Sequence, residues 1–193
     1  MVSVVAKLLL FVLCSAWLPL AHAEPEDANP LVVLTTNLGA ITIQLDAEKA
    51  PISVANFLAY VDAGFYSNTL FHRVIPGFMI QGGGYGLKLE DKENMAPIKN
   101  EAANGLNNVR GSVALARTSV IDSATSQFFI NTVDNAFLNH TATNFGYAVF
   151  GKVIEGMEVV DKIEMTKTKP SGGHANLPVE PVIVQSASRL SRQ

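Results

Sequence analysis

Thiols, indoles, clustered histidines and basic runs are all scarce in this chain. Its 193 residues include one cysteine, Cys14, and one tryptophan, Trp17. A single cysteine excludes an internal disulfide, a CxxC redox pair and a cysteine-based zinc cluster. The four histidines (His22, His72, His140 and His174) stand far apart, with no HExxH or similar spacing. No metal site is therefore expected. Fourteen Lys and Arg face 17 Asp and Glu, for a net charge of −3, and the basic residues never form a run. A surface for nucleic-acid phosphates is not expected from such a pattern. No GxSxG elbow is present, and Gln81-Gly82-Gly83-Gly84-Tyr85-Gly86 lacks both the GxGxxG spacing and the GK[ST] of a phosphate loop. Those glycines read instead as a tight turn that needs positive φ.

The apolar residues are concentrated first at the N-terminus. Lys7 precedes the run Leu8 to Leu18, then come Pro19 and the small-residue site Ala21-His22-Ala23, and the chain turns polar at Glu24-Pro25-Glu26-Asp27. The run is about half the ~20 residues that a spanning helix needs. The layout predicts a secretory signal peptide over 1–23, cut after Ala23. Cleavage removes Cys14 and Trp17 together, and a thiol-free chain suits an oxidising compartment. No membrane attachment is expected after cleavage.

Residues 24–30 read as a flexible tail, 31–187 as one domain, and 188–193 as a frayed C-terminus. Leu31–Thr36 and Ala40–Asp46 alternate around Asn37-Leu38-Gly39, which predicts a hairpin. Pro51 opens a helix to about Ala63, with Val54, Phe57, Leu58 and Val61 on one face. Strands are predicted at Thr69–Ile75, Phe78–Gln81, Gly111–Ala116, Gln127–Asn131, Ala148–Val153 and Val179–Ser186. A second amphipathic helix is predicted over Met157–Met165, and 82–106 reads as a long irregular stretch. Many short strands with two helices predict a mainly β fold, a sheet or barrel with helices at its ends. His140 and His174 lie in polar, loop-like stretches and read as solvated.

The segment Phe71-His72-Arg73-Val74-Ile75-Pro76-Gly77-Phe78-Met79-Ile80-Gln81 sets a guanidinium among large apolar side chains. Such an arginine either snorkels to water or sits at the rim of an apolar pocket. Period-2 geometry puts Met79 and Gln81 on one strand face, and Gln127 and Phe129 on another. Two strands could each offer an amide and an apolar side chain to a bound peptide.

FHRVIPGFMIQGGG, with SQFFIN and FGYAVFGKV further on, resembles the cyclophilin family of peptidyl-prolyl isomerases, most of all its bacterial periplasmic members. The likeness spans about Leu31 to Ala187. It implies an eight-stranded antiparallel β-barrel capped by two α-helices, and cofactor-free catalysis of rotation about Xaa–Pro bonds. By the same resemblance Arg73 and Gln81 are catalytic. His72, Phe78, Met79, Ala116, Arg117, Gln127, Phe129, Phe137, Leu138 and Tyr147 then line the substrate groove. Arg117 stands where many members carry Asn, Phe137 where many carry Trp, and Tyr147 where many carry His. The resemblance implies proline-containing unfolded polypeptides as partners, weak binding of cyclosporin-type ligands, a monomer, and a periplasmic role in folding exported proteins. A proline-peptide binding module or holdase with little turnover is the alternative.

Overall fold

The computed structural model describes residues 29–190. The predicted signal peptide and most of the predicted tail lie outside them. The elements are β1 (Leu31–Thr36), β2 (Gly39–Leu45), α1 (Pro51–Asp62), β3 (Thr69–Ile75), β4 (Met79–Gly86), β5 (Ser112–Leu115), β6 (Phe128–Asn131), a 3-10 turn at Ala136–Leu138, β7 (Val149–Glu155), α2 (Met157–Glu164), β8 (Thr168–Ser171), β9 (His174–Pro178) and β10 (Ile183–Leu190). Eight strands close into an antiparallel barrel in the order β1-β10-β3-β4-β6-β5-β7-β2, while β8 and β9 pair separately. Among the described residues no helix is long and apolar enough to cross a membrane.

Alternation along the strands decides what fills the barrel. Val32 and Leu34, Ile41 and Ile43, Val113 and Leu115, and Phe128 and Ile130 are spaced two apart, and all join one buried cluster. Both helices are stoppers for that cluster. Val54, Phe57, Leu58 and Val61 of α1 enter it, as do Val159, Val160 and Ile163 of α2. Phe57 packs against the rings of Tyr66, Phe128 and Phe150 at centroid distances of 5.2, 5.6 and 5.1 Å. Burying one such side chain is worth about 1.5–3 kcal/mol.

Pro51 fits the first turn of α1, where a missing N–H costs nothing. Ala50 supplies no side-chain cap; the free N–H groups of Ile52 and Ser53 donate to the Glu101 carboxylate at 3.0 and 2.7 Å. A negative charge there also meets the positive end of the helix. The irregular stretch after β4 is thus tied to the barrel by a cap that no local sequence window contains.

Several boundaries differ from those predicted. The glycine run is not a tight turn but the body of β4, with positive φ at Gly83 alone among Gly82–Gly84. A Cβ on Gly83 would lie 2.9 Å from both the Ser126 carbonyl and the Tyr66 ring. The last strand begins at Ile183, after Pro181, and reaches Leu190, so residues 188–190 are not frayed. Ser188, Arg189 and Leu190 pair with Val33, Val32 and Leu31, which need those backbone partners. The β8–β9 hairpin was not predicted, although Gly172-Gly173, both at positive φ, is a turn signal.

Candidate active site

The same alternation that fills the barrel builds a second surface outside it. Met79, Ala114, Phe129, Leu138 and Val149 form a separate apolar cluster, joined by the partly buried Phe78, Ala116 and Tyr147. Each strand residue of this cluster neighbours one that points into the barrel: Met79 beside Ile80, Ala114 beside Val113, and Phe129 beside Phe128 and Ile130. Gln81 lies opposite both Phe129 of β6 and Arg73 of β3, so the three share the outer face.

Arg73 reaches that face through a bulge. Phe71 pairs with Gly82 and Arg73 with Gln81, which leaves His72 as an extra residue on β3. Phe71 and Val74 can therefore both stay in the barrel core while Arg73, between them, turns outward. The chain then reverses at Ile75-Pro76-Gly77-Phe78. Gly77 has φ +69° and Phe78 N–H donates to the Ile75 carbonyl at 3.1 Å, as a Pro-Gly type II turn requires. Glu164, at the end of α2, accepts from Gly77 N–H at 2.6 Å and anchors this turn.

These residues enclose a cleft of about 330 Å3. Met79, Phe129 and Leu138 form its buried floor. Phe78 and Phe137 stack at 5.6 Å along one wall, and Tyr147 meets the Phe129 ring edge-on at 5.8 Å. Phe137 is 65% exposed, so the wall ends in an open aromatic lip. At the rim Arg73 Nη1 donates to Gln81 Oε1 at 3.3 Å and lies 3.9 Å from Met79 Sδ. Its guanidinium carbon sits 5.7 Å from the Phe78 ring centre. Among the described residues Nε and Nη2 of Arg73 have no partner. Gln81 Nε2 donates in turn to Gln127 Oε1 at 2.9 Å. Gly84 leaves room for Gln127, whose Nε2 would be 2.5 Å from a Cβ there.

Arg117 lies along the wall. Its guanidinium is 4.7 Å from the Tyr147 ring centre, and it donates to the Gly146 and Thr118 carbonyls, both at 2.9 Å. A smaller hollow of about 140 Å3 adjoins the cleft and shares Gln81, Ala116 and Arg117 with it. There Gln127 appears with Thr118, Ser123 and Thr125, which the sequence reading missed. Thr125 could have been found, since it is two residues before Gln127 and four before Phe129. A larger hollow of about 490 Å3 between Gln44, Asp46 and Lys152 contains none of the predicted site residues.

Eleven of the twelve predicted site residues line the cleft or this adjoining hollow; His72 does not. The bulge turns it away, and it is 4% exposed, packed 4.6 Å from the Tyr85 ring and 5.4 Å from the His174 ring. His174, expected in solvent, is accordingly half-buried. Burial is the main reason that the His72 pKa falls to about 4, and the neighbouring His174 adds to it.

An apolar pocket floored by Met79, Phe129 and Leu138, with a cationic donor at its rim and side-chain amides beside it, thus sits on the outside of a closed antiparallel barrel. The family model for cyclophilin-type peptidyl-prolyl cis-trans isomerases matches residues 31–189. Peptidyl-prolyl cis-trans isomerase A of Dickeya dadantii is 56% identical over 161 residues, covering 83% of this chain and 85% of that protein. A peptidyl-prolyl cis-trans isomerase of Acinetobacter baylyi is 59% identical over 166 residues, covering 86% and 87%. A solved cyclophilin-type isomerase of Cryptosporidium parvum, crystallised in the presence of the dipeptide Ala-Pro, superposes with a TM-score of 0.69 at 28% identity, covering 84% of this chain and 99% of that one. The chain belongs to the cyclophilin-type peptidyl-prolyl cis-trans isomerases, and its activity is rotation about Xaa–Pro peptide bonds.

The buried His72 makes stability pH-dependent. The unfolded ring takes a proton near 6.5, whereas the folded ring resists until about pH 4. The unfolded state therefore binds more protons in that window. Stability is full above pH 6.5 and falls as pH drops to about 4, by at most roughly 3 kcal/mol. Urea unfolding of the wild type and His72→Phe between pH 4 and 7 should give a flatter profile for the variant; equal slopes would contradict the assignment.

Proposed function

We propose that Arg73 is the catalytic group and that the apolar cleft holds the proline ring while the preceding carbonyl swings. The C–N bond resists rotation by about 18–20 kcal/mol because of its partial double-bond character. Twisting the amide breaks that conjugation and returns the lone pair to the prolyl nitrogen. A donor aimed at this nitrogen binds the twisted amide more strongly than the planar one, which is what lowers a barrier. Arginine suits the role because it is always charged and has a rigid fork of donors. The observation that carries this reading is a guanidinium with unpartnered N–H groups at the rim of a pocket floored by Met79, Phe129 and Leu138.

Gln81 steadies Arg73 through Nη1 and faces substrate backbone, with Gln127 behind it. Phe78, Phe137 and Tyr147 wall the ring, while Ala116 and Arg117 border the groove for the residues before proline. His72 takes no part in binding and serves the packing beneath Arg73.

In the cell this activity serves exported proteins. Residues 1–23 have the layout of a cleaved leader, and the isomerase relatives at 52–59% identity are bacterial. The enzyme works in the periplasm, as a monomer, on unfolded or partly folded chains whose Xaa–Pro bonds otherwise isomerise over tens of seconds. Cyclosporin-type ligands bind weakly, because Phe137 offers no indole N–H at the lip of the cleft.

In a protease-coupled assay on an Ala-Pro peptide, the wild type should turn over and Arg73→Ala should lose roughly 10²–10³-fold in kcat. Peptide binding should be largely kept. Undiminished turnover in Arg73→Ala would remove Arg73 from the mechanism, and binding without turnover in the wild type would favour the holdase. Phe137→Trp should bind cyclosporin more tightly than the wild type in an inhibition series; unchanged sensitivity would dismiss the indole argument. Intact mass of the exported protein should correspond to a chain beginning at Glu24.

A further inference from the structure

Behind the cleft lie three buried asparagines, Asn108, Asn131 and Asn135, each at most 3% exposed. Asn135 Nδ2 donates to the Phe78 carbonyl at 2.8 Å and to Asn131 Oδ1 at 2.7 Å. Asn131 Nδ2 donates to Asn108 Oδ1 at 3.2 Å and to Ser112 Oγ at 2.9 Å. Asn108 Nδ2 faces the Leu138 and Tyr147 carbonyls, both at 3.3 Å, and Asn139 Oδ1 at 3.2 Å. Main-chain bonds close the net: Asn135 N–H donates to the Asn108 carbonyl, and Asn108 N–H to Asn139 Oδ1, both at 2.7 Å.

The donors run one way, from Asn135 through Asn131 to Asn108. Turning the Asn131 amide over would set its NH2 against that of Asn135 and its oxygen against the Asn108 oxygen. Both hydrogens of Asn135 and Asn131 are used, so the arrangement has a single solution. Buried amide chains of this kind reinforce one another and are costly to leave half-satisfied. The outermost partners are the carbonyls of Phe78, Leu138 and Tyr147. Those three residues belong to separate segments: the β3–β4 turn, the 3-10 turn and the approach to β7. All three line the cleft.

We propose that Asn108, Asn131 and Asn135 act as one positioning unit that fixes the width of the cleft and so selects the five-membered proline ring. The inference rests on reading the cleft as the prolyl site. The asparagines touch no substrate; they act through the main chain of the residues that do. Loss of the net lets the Phe78 and Leu138 walls part, which weakens ring binding and relaxes ring selectivity.

The test measures kcat and KM on an Ala-Pro peptide and on its six-membered pipecolyl analogue, for the wild type, Asn135→Asp and the milder Ser112→Ala. Asn135→Asp replaces the donor that faces the Phe78 carbonyl and Asn131 Oδ1 with an oxygen. It should raise KM for the prolyl peptide roughly tenfold, the size of the one bond, to the Phe78 carbonyl, that holds the cleft wall directly. It should lower kcat far less and narrow the prolyl-over-pipecolyl preference by a similar factor, with Ser112→Ala intermediate. A lower Tm with KM and ring preference unchanged is the mark of a merely structural role and overturns the proposal. Should Asn135→Asp fail to fold, side-chain amide exchange in the wild type decides. Slow exchange at all three asparagines, slowed further by the prolyl peptide, supports the net, and exchange at the solvent rate overturns it. A wild type without turnover would count against the isomerase mechanism, while slow amide exchange would still mark the net as rigid.

Discussion

Side chains leave a β-strand by its two faces in turn, and in a closed barrel one face looks inward and the other outward. The whole molecule depends on keeping that parity. In β4, β5 and β6 both faces are apolar, so these strands serve two clusters at once. Ile80, Val113, Leu115, Phe128 and Ile130 fill the barrel, while Met79, Ala114 and Phe129 join the outer cluster, of which Met79 and Phe129 floor the cleft. A slip of one residue would exchange the two sets and drive Arg73 toward the interior. The pairing of β3 with β4 is irregular between Thr69 and Phe71 and again between Phe71 and Arg73, and the second irregularity, at His72, falls beside the outward-facing Arg73.

The cleft derives its electrostatics from this arrangement. A guanidinium in open water is shielded by its solvent, whereas beside an apolar floor its field acts at lower effective dielectric. Arg73 gains that environment without being buried, because the Phe78 ring, Met79 and Gln81 lie against it on the protein side. The loops around it are held by groups distant in sequence. Glu164 holds the Pro76-Gly77 turn, Glu101 caps α1, and Asn100 ties the irregular stretch to the Phe145 and Gly146 carbonyls at 3.2 and 3.3 Å. In the mechanism proposed above, a permanent charge and fixed amides need no tuned proton.

Much of this was legible in the chain itself. Period-2 spacing was enough to put Met79 with Gln81 and Gln127 with Phe129, and the apolar company of Arg73 marked it as exceptional. Phe137, Leu138 and Tyr147 came only from the family resemblance, since their loops have no periodicity to read. What escaped was whatever depends on a break in rhythm or on distance. His72 enters the groove only through the family resemblance, and the bulge on β3 turns it away from the cleft. The glycine run looks like a turn in one dimension because what it does is clear space for Tyr66, Phe128 and Gln127, which lie elsewhere in the chain. The limits of the strand Ile183–Leu190 differ from those that alternation predicts because they are dictated by β1, far back in the sequence.

That last pairing has a consequence for how the molecule comes into being. The seam of the barrel joins β1 to β10, the first and last strands of the described residues, from Leu31 with Leu190 to Thr36 with Val184. Contacts between opposite ends of a chain carry the largest closure entropy and form late. Until β10 has emerged, β1 and β3 each present an unpaired edge, and the barrel is an open sheet with its core half uncovered. An enzyme whose activity is rotation about Xaa–Pro bonds thus closes its own barrel through the pairing most distant in sequence among its described strands.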